Sequence, residues 1–297
     1  MIYCARTHSM IAQCGHLLGA IALAVTISCG SQGGDGGNLP WSDEFNGTTV
    51  DSGRWTFEIG SGFGSGEMEY YTDPELVGDR NAAIVDDGDD RVLRIAALDN
   101  PPYLDPDEGS YIYTSARLTT QGKFSFTHGR IEARMKLPRG RGIWPAFWLV
   151  GNAIGADGSG WPRCGEIDIV ELVGGAPYSG HTDLGDGIIY GTSHWADAAN
   201  APLESDPNGV YTLPAGTFAD DYQVFGLEWS ASEIRWLIDG VEYFHEDVPA
   251  VDYDAFQAPF FIILNIAIGG DWPGPPDGTT VFPQYLYVDW IRVTPLD

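Results

Sequence analysis

Lysine is nearly missing from this chain: Lys123 and Lys136 are the only two in 297 residues. Lysine and arginine together number 15 against 42 aspartates and glutamates, for a formal net charge of −27. A surface this acidic favours solubility and repels nucleic acid, anionic lipid and sulfated polymers, whereas a neutral polymer meets no such penalty. High salinity would select the same composition. Cysteine is also scarce. Cys4, Cys14 and Cys29 lie near the N-terminus, and Cys164 is the fourth. If the N-terminal segment is removed, Cys164 stands alone, no intramolecular disulfide can form, and stability must come from the core. Sustained helical periodicity is missing as well.

The N-terminal segment differs from the rest. No acid precedes Asp35, and the apolar run Leu17 to Ile27 is too short to span a membrane as a helix. It reads as the hydrophobic region of a secretory signal occupying residues 1–29. Ser28-Cys29-Gly30 follows, then a glycine-rich stretch over 30–39 that behaves as a flexible tether. A small residue before a cysteine, with such a tether after it, resembles a bacterial lipoprotein processing site, with Cys29 as the lipid-bearing residue. Plain secretion is the alternative. The expected location is extracellular, or the cell surface through a lipid on Cys29.

Residues 40–297 suffice for one large domain with a substantial core. Extended segments recur at short intervals, with no internal repeat and no second domain, which predicts two packed antiparallel sheets. Asn81–Val85 and Val92–Ala97 read as strands around an Asp87-Gly88 turn. Thr114–Thr120 reads as one further segment, and Lys123–Leu137 as an alternating pair broken near His128-Gly129. Ile238-Asp239-Gly240-Val241 predicts a type I′ hairpin within a scaffold region. Phe260–Ile268, almost wholly apolar, predicts a fully buried strand.

The most informative stretch is Gly165-Glu-Ile-Asp-Ile-Val-Glu171. In a strand, successive side chains point to opposite faces, so Glu166 and Asp168 share one face and Ile167 and Ile169 the other. Strict alternation would put Glu171 among the isoleucines, where an unpaired carboxylate costs several kcal/mol. One β-bulge around Ile169–Val170 returns Glu171 to the acidic face. Four strand steps would then separate the Glu166 and Glu171 backbones by roughly 13 Å. Side chains leaning together over Asp168 could bring the carboxyls to about 5–5.5 Å, the spacing of a retaining glycosidase. Three adjacent carboxylates repel one another, so a purely structural strand would avoid them. The histidines show no metal-ligand spacing, and no cofactor is expected for catalysis.

Glu166-Ile-Asp-Ile-Val-Glu171 resembles the active-site signature of glycoside hydrolase family 16 in its bulged form, E-x-D-x-x-E. The resemblance extends from about Trp41 to Val293. It implies a concanavalin A-like jelly-roll sandwich and a retaining, endo-acting hydrolase of β-1,3-glucan. By position in the motif, Glu166 is the implied nucleophile and Glu171 the acid/base, with Asp168 between them. The segment Ile143-Trp-Pro-Ala-Phe-Trp-Leu149 matches the family's sugar-binding sheet, which implies substrate contacts at Trp144 and Trp148. Indole rings suit the apolar faces of glucose. Arg117, Trp161, His194 in Tyr190–Trp195, and Trp272 in Gly269–Gly274 fall where family members line the cleft. The loop Gly60–Gly66 either rims that cleft or is a plain surface connection. The resemblance also implies a structural calcium held by Glu44, the Gly88 carbonyl oxygen and Asp289, with water completing the shell.

Within the resemblance, mixed-linkage glucan, agar and carrageenan are rival substrates. The missing cationic surface weighs against sulfated galactans, which need Arg or Lys partners. Transglycosylation is open, since an acceptor sugar could replace water. A non-catalytic lectin-like sandwich would need the tryptophans but not the acids. The expected partner is a neutral polysaccharide, not nucleic acid, and the expected state is a monomer.

Overall fold

The computed structural model describes residues 39–78, 80–105, 109–155, 160–175, 184–196, 202–204, 209–248 and 254–296. Cys29 and residues 30–38 lie outside the described residues. In chain order the strands are β1 (Trp41–Asp43), β2 (Thr56–Glu58), β3 (Glu69–Tyr71), β4 (Ala82–Asp87), β5 (Asp90–Asp105) and β6 (Gly109–Ser115). Then come β7 (Arg117–Thr119), β8 (Gly129–Lys136), β9 (Ile143–Gly151), β10 (Glu166–Glu171), β11 (Ile188–Ala196) and β12 (Pro202–Glu204). The remainder are β13 (Gly209–Thr212), β14 (Gln223–Trp229), β15 (Glu233–Ile238), β16 (Val241–Asp247), β17 (Phe260–Ile268) and β18 (Gln284–Thr294).

They form two sheets. One runs β16-β15-β14-β8-β18-β5-β6-β3, with β1 on β18 and β4 on β5. The other runs β12-β11-β10-β9-β17-β7-β2, with β13 on β11. This is the expected sandwich, with two departures. β3 pairs with β6 in parallel. The segment Thr114–Thr120 is also not one strand. β6 belongs to the first sheet and β7 to the second, and the chain changes sheets at the buried Ala116.

Inward side chains of both sheets share one core, including Ile131, Ala133, Phe225, Leu227 and Trp236 from one sheet and Phe147, Leu149, Ile262 and Leu264 from the other. Every residue of β17 is buried. Asp239 (φ 49°) and Gly240 (φ 76°) both take positive φ, as a type I′ turn requires.

The bulge lies in β10. Against β9, Asp168 pairs with Trp148 and Val170 with Phe147, which leaves Ile169 as the extra residue. Ile169 and Val170 both enter the core. The carbonyl of Asp168 accepts the indole N–H of Trp236 from the opposite sheet at 2.7 Å. Gly191 makes room for that indole, since a Cβ there would lie 2.4 Å from Trp236 Cδ1. Trp236, read as scaffold, therefore secures the bulge.

Candidate active site

The outer face of the second sheet lines an open cleft of about 960 Å³. Because side chains alternate, the core residues of β9 leave Trp144, Ala146, Trp148 and Val150 on the cleft side. β10 contributes Glu166, Asp168 and Glu171, and β11 contributes Thr192 and His194. β17 adds Phe261, Ile263, Asn265 and Ala267.

Each acid has distinct neighbours. Glu166 lies between Val150 and His194 in register, and Asp168 between Trp148 and Thr192. The His194 Nε2 stands 3.2 Å from Asp168 Oδ2 and 3.8 Å from Glu166 Oε1. Trp161 donates its indole N–H to Glu166 Oε2 at 3.0 Å. Trp144 does the same for Glu171 Oε1 at 2.9 Å. Only 5% of the Asp168 side chain is exposed, against 16% for Glu166.

Burial raises the proton affinity of all three acids, because it penalises the charged form. Glu166 is pushed up to about 8, first by desolvation and then by the charge of Asp168. His194, the Trp161 hydrogen bond and Arg117 oppose that rise. Asp168 is raised by burial. Glu171 is raised well above the usual carboxylate range by burial, then by the charges of Asp168 and Glu166. The Trp144 hydrogen bond and His194 offset part of this. The trio therefore cannot ionise fully near neutral pH. Glu166 has three groups favouring its anion, while Glu171 faces two anionic neighbours.

Arg117 also lines the cleft, but it is already engaged. Its Nε donates to Glu58 at 2.5 Å, and its guanidinium lies over the rings of Phe63 (4.7 Å) and Trp148 (4.8 Å). Trp272 meets Trp144 edge-on at 5.7 Å and Tyr190 at 5.0 Å. Trp161 is about half exposed at the rim. All the side chains expected at the cleft are thus brought together in it.

Phe63, Glu58 and Asn265 line the cleft as well, and belong to no motif legible in the sequence. A single phenylalanine inside Gly60–Gly66 and a single polar residue inside Phe260–Ile268 were the available signals. The glycine-rich loop does rim the cleft, through Ser61 to Ser65.

One donor atom each from Glu166, Asp168 and His194 lies within 4.8 Å of the others, a set that could hold a divalent cation. The residues named for calcium are remote from this group in the fold. Glu44 follows β1 and is gripped by Arg292, Nε to Oε1 at 3.0 Å and Nη2 to Oε2 at 2.7 Å. Asp289, on β18, binds Arg134 at 2.6 Å. The pairing of Asp43 with Ile291 brings these two acids to one end of the β1–β18 ladder. Gly88 occupies the β4–β5 turn at φ 69°. Oxygen donors suit calcium, but both carboxylates are already neutralised by guanidinium groups.

Comparison with known proteins agrees with this geometry. The chain is 37% identical over 290 residues to a beta-glucanase of Rhodothermus marinus, covering 92% of this chain and 93% of that protein. It is 32% identical over 281 residues to glucan endo-1,3-beta-glucosidase A1 of Niallia circulans, covering 87% of this chain but 38% of that longer protein. Its fold superposes on the laminarinase catalytic domain of Thermotoga maritima with a TM-score of 0.70 at 41% identity, covering 86% of this chain and 98% of the other. The family model for glycosyl hydrolases family 16 matches residues 75–292, a span that holds the whole acidic cluster and every tryptophan of the cleft. With its bulged acidic strand set in an open jelly-roll cleft, this chain belongs to glycosyl hydrolases family 16 and is a glycoside hydrolase.

Proposed function

We propose that the chain is a retaining, endo-acting hydrolase of β-1,3-glucan, with Glu166 as nucleophile and Glu171 as acid/base. The observation that carries this is the bulge, which puts both glutamates on the cleft face in unequal environments. In the first step Glu166 Oε bonds to the anomeric carbon while Glu171 gives its proton to the departing glycosidic oxygen. In the second step Glu171 takes a proton from water, whose oxygen attacks the anomeric carbon and frees Glu166. The groups that favour the Glu166 anion suit attack; the crowding that keeps a proton on Glu171 suits donation. Asp168, between them, tunes both by its charge and, through His194, is tied to the Glu166 side. Two carboxylates complete the proton and bond changes, so no step needs a metal.

The tryptophans offer stacking faces for neutral sugars: Trp144, Trp148 and Trp272 along the sheet, and Trp161 at the rim. An open cleft admits the middle of a chain, which fits endo cleavage. The names of the relatives support β-1,3-glucan, and the net charge of −27 disfavours sulfated galactans. Secretion, with a lipid on Cys29 as anchor, places the enzyme where such polymers occur. The proposed state is a monomer. A calcium at Glu44, Gly88 and Asp289 would tie the first strand to the last by displacing the two guanidinium groups. Reducing-sugar release from laminarin, mixed-linkage glucan, agar and carrageenan tests the substrate; cleavage of agar without cleavage of laminarin overturns it.

A further inference from the structure

A further buried carboxylate lies behind the cleft. Glu69, on β3, is buried to 1% exposure and takes no part in the chemistry above. Its Oε2 accepts the backbone N–H of Ile268 at 2.6 Å, and it is also hydrogen-bonded to the Tyr71 side chain. Asn265 Nδ2 donates to the Tyr71 hydroxyl at 3.1 Å. Trp148 donates its indole N–H to Asn265 Oδ1 at 2.9 Å. Every link is buried except the indole, which reaches the cleft beside Asp168.

The polarity of this chain is fixed by chemistry. An indole N–H donates only, so Asn265 must turn its oxygen to Trp148 and its amide N–H to Tyr71. The Tyr71 hydroxyl, having accepted, keeps its own proton for Glu69. The Glu69 carboxyl ends the sequence as acceptor, its Oε2 also taking the Ile268 N–H. Desolvation raises Glu69 to about 7, so burying this acid is costly and a purely packing role would be served better by an apolar residue. Arg117, over the same indole and tied to Glu58, bounds the ring from another side.

We propose that Glu69 and Tyr71 are positioning residues that act through Asn265 to orient the Trp148 indole as a sugar platform, and so set substrate affinity without touching substrate. This rests on the cleft reading above. The test is a double-mutant cycle on laminarin hydrolysis. Tyr71→Phe keeps the ring and removes the hydroxyl, and it is expected to raise KM about three- to tenfold with little change in kcat. Trp148→Phe raises KM by itself. The double variant is expected to be no worse than Trp148→Phe, because the hydroxyl acts through the indole. If the two KM effects multiply, or Tyr71→Phe lowers the melting temperature and leaves KM alone, the role is structural and the proposal falls.

Glu69→Gln runs the same cycle should Tyr71→Phe fail to fold: it keeps the shape and weakens the terminal acceptor. A KM rise that vanishes in the Trp148→Phe background supports positioning, and one that persists overturns it. Wild-type hydrolysis of laminarin is the separate check on the substrate. If another glucan is cleaved instead, the cycle is run on that glucan, where coupling still upholds positioning and its absence still ends it.

Discussion

Trp144 holds Glu171 by a 2.9 Å hydrogen bond from indole Nε1 to Oε1, at the strand position where the bulge returns that glutamate to the cleft. Trp161 holds Glu166 in the same manner at 3.0 Å. Each glutamate thus has its own indole, and each indole donates to the carboxyl oxygen it faces. Such bonds fix carboxylate orientation and lower proton affinity against the larger effect of burial.

Removing either indole N–H should move one limb of the pH profile. Trp161→Phe takes a donor from the Glu166 anion, so its proton affinity rises and the acidic limb of kcat/KM should move up by up to about one pH unit. Trp144→Phe should move the basic limb up instead, since Glu171 then keeps its proton longer. pH–rate profiles of both variants check this, and a shift of the same limb in both would refute it.

Asp168→Asn removes a charge that raises Glu166 and Glu171. Both limbs should therefore shift to lower pH. The rate should fall by about ten- to a hundredfold, less than on losing either glutamate. An unchanged profile would remove Asp168 from the mechanism.

Glu166→Gln and Glu171→Gln should nearly abolish turnover yet stabilise the fold. Glu166 has a folded-state pKa of about 8 against an ordinary 4.5, so its protonated form is the one the fold tolerates. Its contribution is fully present below the ordinary value and is lost as pH rises towards 8. Glutamine escapes that loss. The gain should grow across this window to a few kcal/mol, or several degrees in Tm. Thermal melts at pH 4 and pH 8 measure it; equal gains at both would argue against desolvation as the cause.

Roles of the two glutamates separate by rescue. A substrate with a good leaving group should restore part of the activity of Glu171→Ala but not of Glu166→Gln. Azide should then speed Glu171→Ala and give a β-configured product, because it attacks the same face as water. An α-configured product would reverse the assignment.

Calcium should raise Tm only modestly and in the millimolar range, since the ion competes with Arg292 at Glu44 and with Arg134 at Asp289. Melting in calcium and in chelator, with Asp289→Ala alongside, decides the matter. Identical melting of the wild type in both conditions would dismiss the site.

Glu166, Asp168 and Glu171 were legible together from the sequence, along with the need for a bulge. A strand has a period of two and an unpaired buried carboxylate is costly, so local pattern alone assigns the faces. The same logic gave the alternation of Trp144 and Trp148 against Phe147, and the Asp239-Gly240 turn. Only the tertiary structure decided that β3 runs parallel to β6, that Thr114–Thr120 divides between two sheets, and that Arg117 is held between Phe63 and Trp148. It alone joins Asn265 to Tyr71, 194 residues away, and Glu69 to Ile268, 199 away. Periodicity is a property of neighbouring residues, whereas the partner of a buried polar group is chosen by which distant strands pack beside it, and no local pattern carries that choice.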